Sequence, residues 1–207
     1  MSTDGHPLKC RCGNVRGLLA NLRNANRVIC YCKDCQAFAH VLGDAQAILG
    51  PRGGSDIIQA LPKDLVFTQG TDALACLRLT PKGLLRWYTS CCRTPIGNTL
   101  ATAKVSFVGL LHDGLETAGV PLDESFGPVM AWVNTRGACG APKPKEVGRG
   151  KVAAWFIRTT LKARLNGDYK RSPFFQPMSG TPVVIPRVLS QDELLRVRQA
   201  VQAAAAD

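Results

Sequence analysis

The sequence is short of histidine and of acid. Three histidines and fifteen Asp or Glu stand against 26 Lys or Arg in 207 residues, a formal charge of +11. No Ser/His/Asp arrangement is detectable, which excludes a hydrolase of the triad kind. No apolar run approaches the ~20 residues of a membrane span, so no membrane partner is expected. The opening Met1-Ser2-Thr3-Asp4-Gly5 is polar and lacks the apolar stretch of a signal peptide, and the expected compartment is the cytoplasm. There is no internal repeat. With 45% hydrophobic residues the composition is that of a folded chain, not a disordered one.

What the chain does have is cysteine. There are nine, at 10, 12, 30, 32, 35, 76, 91, 92 and 139. In a reducing compartment clustered thiols point to metal before disulfide, and a C-x-C pair closes too strained a ring to be a good disulfide. The densest stretch is Cys30-Tyr31-Cys32-Lys33-Asp34-Cys35. Zn²⁺ takes thiolate ligands, and a C-x-C-x-x-C run can wrap three of them round one ion. That leaves the fourth tetrahedral corner to water or substrate, as in a catalytic zinc site. Cys10-Arg11-Cys12-Gly13 forms a second group, in which Gly13 permits the positive φ of a thiolate knuckle. Cys91-Cys92 forms a third. Each group lies at a strand end or turn, where a β core could gather them. Cys76 reads as a small core hydrophobe, Cys139 as a free thiol in a loop, and His40 and His112 as structural residues.

Turn signals recur at short intervals through the first two thirds of the chain. Strands are expected near 15–19, 27–29, 65–68, 75–79, 84–88, 105–111 and 129–133, with a Thr80-Pro81-Lys82-Gly83 turn and a short helix over 36–42. Residues 1–9 read as a frayed lead-in, and 50–56 as a loop. The expected class is mainly β with a helical C-terminal extension. A zinc-binding domain over 1–135 is followed by a basic linker and two helices over 136–207, packed on the same domain. The linker is the Gly-, Pro- and Lys-rich 137–150. The first helix, over 151–165, places Ala154, Ile157, Leu161 and Leu165 on one face and stops at Asn166-Gly167. Residues 171–186 read as extended and proline-punctuated. The second helix opens on the capping box Ser190-Gln191-Asp192-Glu193, presents Leu194, Val197 and Val201, and frays over 203–206. From Arg136 to Arg171 there are ten Lys or Arg against Glu146 and Asp168. This is either a solvated face or a surface for an anionic partner. Nucleic acid is one such partner, but the stretch lacks regularly interleaved aromatics and matches no reading motif.

The cysteine motifs, in their order and spacing, resemble the glutathione-dependent formaldehyde-activating enzyme family, which includes centromere protein V. The matching elements are Cys10-Arg11-Cys12-Gly13-Asn14-Val15, Cys30-Tyr31-Cys32-Lys33-Asp34-Cys35, Phe67-Thr68-Gln69-Gly70-Thr71-Asp72 and Tyr88-Thr89-Ser90-Cys91-Cys92-Arg93-Thr94-Pro95-Ile96. The resemblance spans about residues 8 to 110. It implies an antiparallel β-tent with one or two Zn²⁺ ions per chain. Cys10, Cys12 and Cys92 would belong to a structural zinc, and Cys30, Cys32 and Cys35 to an open, catalytic one. The family pattern has cysteine where Thr89 stands, glycine at Arg93 and histidine at Tyr31. Cys91 either replaces the missing ligand or leaves the site altered. Neighbouring strand residues point to opposite faces, so only a bulge or turn lets Cys91 and Cys92 reach one ion.

The function the resemblance implies is that of a zinc-dependent carbon–sulfur lyase acting on an adduct of a thiol, glutathione, with an aldehyde, formaldehyde in the family's case. Arg11, Arg86 or Arg93 are the cations expected near its carboxylates, Arg93 being the chosen substrate-binding candidate. The alternative is a non-catalytic, zinc-stabilised binding module whose basic tail meets an anionic partner. A third reading is a redox or metal-buffering role, because an exposed three-thiolate zinc releases its ion on oxidation.

Overall fold

The computed structural model describes residues 5–116 and 118–205. Two sheets form its frame. A three-stranded sheet in the order β1-β2-β5 comprises β1 (Gly5–Lys9), β2 (Arg16–Ala20) and β5 (Leu65–Gln69). An eight-stranded sheet runs β10-β3-β4-β9-β8-β7-β6-β11. Its members are β3 (Asn26–Cys30), β4 (Ser55–Ala60), β6 (Leu74–Arg78), β7 (Leu85–Thr89), β8 (Pro95–Thr99), β9 (Val108–Leu111), β10 (Ala131–Val133) and β11 (Arg187–Val188). The two edge pairings, β10 on β3 and β11 on β6, are parallel, and the remaining pairings are antiparallel.

Period-two alternation sends side chains from the large sheet into two cores. Leu85 and Trp87 of β7, Cys76 of β6 and Leu110 of β9 face the small sheet, where they meet Leu8, Leu19 and Leu65. Leu77 and Leu111 point the other way, toward α1 (Lys33–Leu42) and α6 (Gln191–Ala203), and pack with Phe38, Leu42 and Val201. Arg86 also lies on that second face, with its guanidinium 5.4 Å from the centroid of the Phe38 ring.

Helices interrupt the strands, so the fold is mixed α/β with strand-rich sheets and not mainly β. Besides α1 and α6 they are α2 (Ala45–Ile48), α3 (His112–Glu116), α4 (Leu122–Phe126) and α5 (Arg149–Leu165). The expected lead-in over 5–9 is strand β1, whose Leu8 is core; residues 1–4 lie outside the described residues. The loop expected over 50–56 gives way to β4 at Ser55. Strand β8 was not expected either. Its Pro95 occupies the first position of the strand, where a missing N–H is tolerated. The capping box forms as read, with Ser190 Oγ accepting from Glu193 N and a Glu193 carboxylate oxygen accepting from Ser190 N. Helix α6 ends at Ala203, and the fraying expected beyond it falls partly on residue 206, outside the described residues.

Helix α5 forms over the expected stretch, and the shared face of Ala154, Ile157, Leu161 and Leu165 is its outer one. Thr159 and Ala163 are its buried residues, while Ala154, Ile157, Leu161 and Leu165 face solvent. Trp155 Nε1 donates to Asn24 O, and the Phe156 ring meets Phe107 edge-on at 5.4 Å. The aromatic pair and the small residues let the helix approach the domain more closely than the aliphatic row would.

The extended stretch 171–186 contributes to the core between the sheets. Phe174 is 0% exposed and lies 4.9 Å from Trp87 and 5.8 Å from Phe67, centroid to centroid. Phe174→Ala should therefore destabilise the whole chain by about 3–5 kcal/mol in chemical denaturation. A loss confined to the C-terminal part, with the rest melting unchanged, would contradict this packing.

His6 is wholly buried, with Nε2–H donating to Leu115 O (3.2 Å) and Nδ1 accepting from Ser125 Oγ (2.7 Å). Burial holds its pKa below the ordinary 6.5, against the opposing effect of the Leu115 carbonyl. The unfolded chain then binds the extra proton first, so this contribution is present above about pH 6.5 and lost as the pH falls below it. Unfolding free energy should decline with acidification below pH 6.5 by up to about 1.4 kcal/mol per pH unit from this residue. His6→Asn should flatten that slope.

Candidate metal centres

The central triplet is assembled from three local elements. Strand β3 ends on Cys30, tied to β10 through the parallel pairing and the Tyr31 N–H bond to Val133 O (3.1 Å). Cys32 is the N-cap of α1, its Sγ accepting from Cys35 N at 3.3 Å. Cys35 lies in the first helical turn, where the backbone dipole favours a thiolate. Asn134, in left-handed backbone just after β10, donates Nδ2–H to Cys30 Sγ at 3.3 Å. Gln36 Nε2 clamps the loop by donating to Tyr31 O and Gly137 O. Gly137 must be glycine, since a Cβ there would lie 2.1 Å from Tyr31 O. The sulfurs of Cys32 and Cys35 stand 3.0 Å apart, and those of Cys35 and Cys30 4.0 Å.

The second cluster joins Cys10, Cys12, Cys91 and Cys92, whose sulfurs all lie within 4.8 Å of one another. Cys10 to Cys12 is 3.5 Å, Cys12 to Cys91 is 3.4 Å, and Cys91 to Cys92 is 3.8 Å. Four sulfurs around an ion at a Zn–S distance of about 2.3 Å stand about 3.8 Å apart, so the donor set fits. The Cys10 knuckle turns on Gly13 at φ +78°, and Val15 N donates to Cys10 Sγ. On the other side, Thr89 and Thr94 close a tight turn, with Thr89 N bonded to Thr94 O and Arg93 N to Thr89 O. Arg93 adopts φ 56°. It is this turn that lets adjacent Cys91 and Cys92 face one point. The Thr89 hydroxyl accepts from Thr94 N and lies 3.3 Å from Cys92 Sγ.

Charge explains why both clusters want a cation. In the triplet, hydrogen bonds from Cys32 and then Cys35 push the Cys30 thiol down to about 2. The same bond to Cys30 pushes Cys32 up to about 11, and bonds to Cys30 and Cys32 push Cys35 well up. In the second cluster burial opposes ionisation of Cys92, yet bonds from Thr89, Thr94 and Cys12 hold it at about 5. For Cys12 a backbone bond from Asn14 favours the thiolate, but Cys91, Cys92 and Cys10 together carry it up to about 12. In each cluster one thiol is held down while a neighbour is pushed up, and a positive ion would offset the like-charge repulsion behind that split. Both clusters could hold a metal ion.

A cavity of about 570 Å³ opens beside the triplet, lined by Cys32, Lys33, Asn134, Arg136, Glu146 and Arg149 among others. The cations expected near the site lie elsewhere. Arg11 is paired with Asp44 and Asp113, both at 2.7 Å. Arg86 is buried, bonded to Asn98 and 4.0 Å from Asp34. Arg93 is exposed on the turn beside Cys92 and does not line this cavity. Cys76 is buried core, and neither it nor Cys139 joins a cluster among the described residues. His40 and His112 also stand outside both clusters. Sequence reasoning counted Arg136, Glu146 and Arg149 in the basic stretch without placing them beside the thiols, and it missed Asn134, which carries no sequence signal.

Elemental analysis of the purified chain should find two metal ions per chain. Cys91→Ser should leave one and lower the melting temperature by about 5–10 °C. Two ions retained in that variant would remove Cys91 from the ligand set.

No curated protein matches the chain. Among solved structures, a crystal structure of a Rhodobacter sphaeroides protein is similar at 20% identity, with a TM-score of 0.39, covering 61% of this chain and 99% of that one. Residues 1–184 match the family described as a family of unknown function, DUF6151. The chain belongs to the DUF6151 family.

Proposed function

We propose that the chain is a zinc-dependent carbon–sulfur lyase-like protein, acting on the adduct of an anionic thiol, such as glutathione, with an aldehyde. The observation that carries this reading is the contrast between the clusters. Four thiols complete one, whereas three form the other beside a cavity lined by Lys33, Arg136 and Arg149 against Glu146. The four-element likeness to the formaldehyde-activating family and its β-tent supports the same division into a structural and a working zinc. Bound zinc would supply a Lewis-acid position open to exchange at Cys30, Cys32 and Cys35.

The chain's own residues do the rest. Arg136 and Arg149 offer paired donors to the carboxylates of the thiol, and Lys33 adds charge at the mouth. Asn134 donates to Cys30 Sγ and so steadies the negative charge of the ligand set. Glu146, paired with Arg149 at 3.3 Å, is the carboxylate in the cavity lining. Addition forms the S–C bond, removes the thiol proton and delivers a proton to the carbonyl oxygen; the reverse step breaks the same bond. Glu146 is placed to carry that proton through a carboxylate oxygen, with no net oxidation.

Cys32→Ser separates chemistry from folding, because serine also serves well as an N-cap of α1. Adduct formation from glutathione and formaldehyde, followed by NMR, should be accelerated by the zinc-loaded chain. The acceleration should vanish in apo protein and in Cys32→Ser. Equal rates in all three would sink the proposal. Arg136→Ala and Arg149→Ala should each raise KM for glutathione about tenfold while changing kcat less.

A further inference from the structure

Helix α5 presents an apolar row that nothing among the described residues covers. Ile157 is 63% exposed, Leu161 57% and Leu165 78%. At four-residue spacing they form one stripe along the outer face. The helix cannot roll to bury them, because its opposite face is held by Trp155, Phe156, Thr159 and Ala163. Cations border the stripe on both sides. At 100° per residue, Lys151, Arg158 and Lys162 run along one edge and Arg149 and Arg164 along the other. Arg149–Leu165 contains no acid. Lys151, Arg158 and Lys162 have no ion pair among the described residues. Arg158 and Lys162 line a cavity of about 270 Å³ that also takes in Lys63.

We propose that this face of α5 docks on the surface of an anionic lipid bilayer. Ile157, Leu161 and Leu165 would enter the acyl boundary while the flanking cations meet lipid phosphates. The charge pattern disfavours other occupants. A second copy would set five cations against five. Nucleic acid would satisfy the cations but leave an aliphatic row against a polyanion that prefers aromatic platforms. The docking is peripheral: among the described residues no helix is long and apolar enough to cross a membrane. The expectation of no membrane partner rested on span length alone, which does not bear on a helix lying in the interface.

The test is co-sedimentation of the full chain with large vesicles of phosphatidylcholine, with and without phosphatidylserine, at low and high salt. Binding should require phosphatidylserine and weaken with salt. Arg158→Glu/Lys162→Glu should reduce partitioning by at least about fivefold per cation. Ile157→Ser/Leu161→Ser should reduce it about tenfold. All four side chains are exposed, so both variants should melt as the parent does. Absence of binding to phosphatidylserine vesicles at low salt would overturn the proposal. So would equal binding to pure phosphatidylcholine, or full binding by both variants. A shift of duplex DNA or polyglutamate that depends on these residues, without vesicle binding, would assign the face to that partner instead.

Discussion

Repulsion between thiolates held within about one sulfur diameter is the constraint on which the rest of the molecule turns. Sulfurs 3.0 to 4.0 Å apart cannot all ionise unless a cation sits among them. The backbone therefore has to hold the donors together before the ion arrives or fold around it. Here it does so with short, stiff pieces: a strand end and a helix start for one cluster, a glycine knuckle and a tight turn for the other. These pieces belong to different sheets. Cys10 follows β1 of the small sheet, while Cys91 and Cys92 follow β7 of the large one. An ion in the four-sulfur cluster would thus also fasten the two sheets to each other at one end of the core that contains Trp87 and Phe174.

Arg11 shows how the two regions communicate. Its backbone N–H bonds Thr94 Oγ1, which reaches the turn, and its guanidinium joins Asp44, just past α1, to Asp113 in α3. The residue between Cys10 and Cys12 thereby links the knuckle to the far end of the helix whose first turn carries Cys35. Arg86 makes a shorter connection from β7, through Phe38 and toward Asp34, beneath that same first turn. Arg11 and Arg86, two of the three arginines named as candidates for substrate carboxylates, brace the elements that aim the sulfurs.

The local signals were legible and the tertiary ones were not. The Gly13 knuckle, the Thr80–Gly83 turn and the α6 capping box follow from chemistry contained in a few neighbouring residues and form as read, and the three sulfurs of the central triplet gather within 4.8 Å of one another. Strand β8 escaped because it begins on proline and carries Gly97 where the backbone of Gly109 comes within a Cβ's reach. In α5 the period is legible and the direction of the apolar row is not. Periodicity reports that apolar residues share a face, but it does not say what that face meets. Here small and aromatic residues take the close approach, and the branched aliphatic row is left outside. The cavity beside Cys32 was hidden for another reason: Asn134, Arg136 and Arg149 lie a hundred residues from the thiols and reach them only because β10 pairs in parallel with β3.

Thr89 and Cys91 lie at different depths on the turn of the four-sulfur cluster. Thr89 is fully buried, whereas Cys91 is exposed, so the fourth sulfur stands at the surface and not in the interior. The Thr89 hydroxyl accepts from Thr94 N and donates toward Cys92 Sγ, the bonds that hold the turn shut. Arg93 then takes up left-handed backbone where glycine would be free of cost, a strain of order 1 kcal/mol that the surrounding hydrogen bonds must offset. Cys12 and Cys91, both exposed and 3.4 Å apart, become the outer edge of the cluster, and Cys10 its buried floor. An ion held in this way would be reached by solvent from the side of Cys91. The triplet, by contrast, meets its cavity at Cys32, so the two clusters present different corners and different chemistry to what surrounds them.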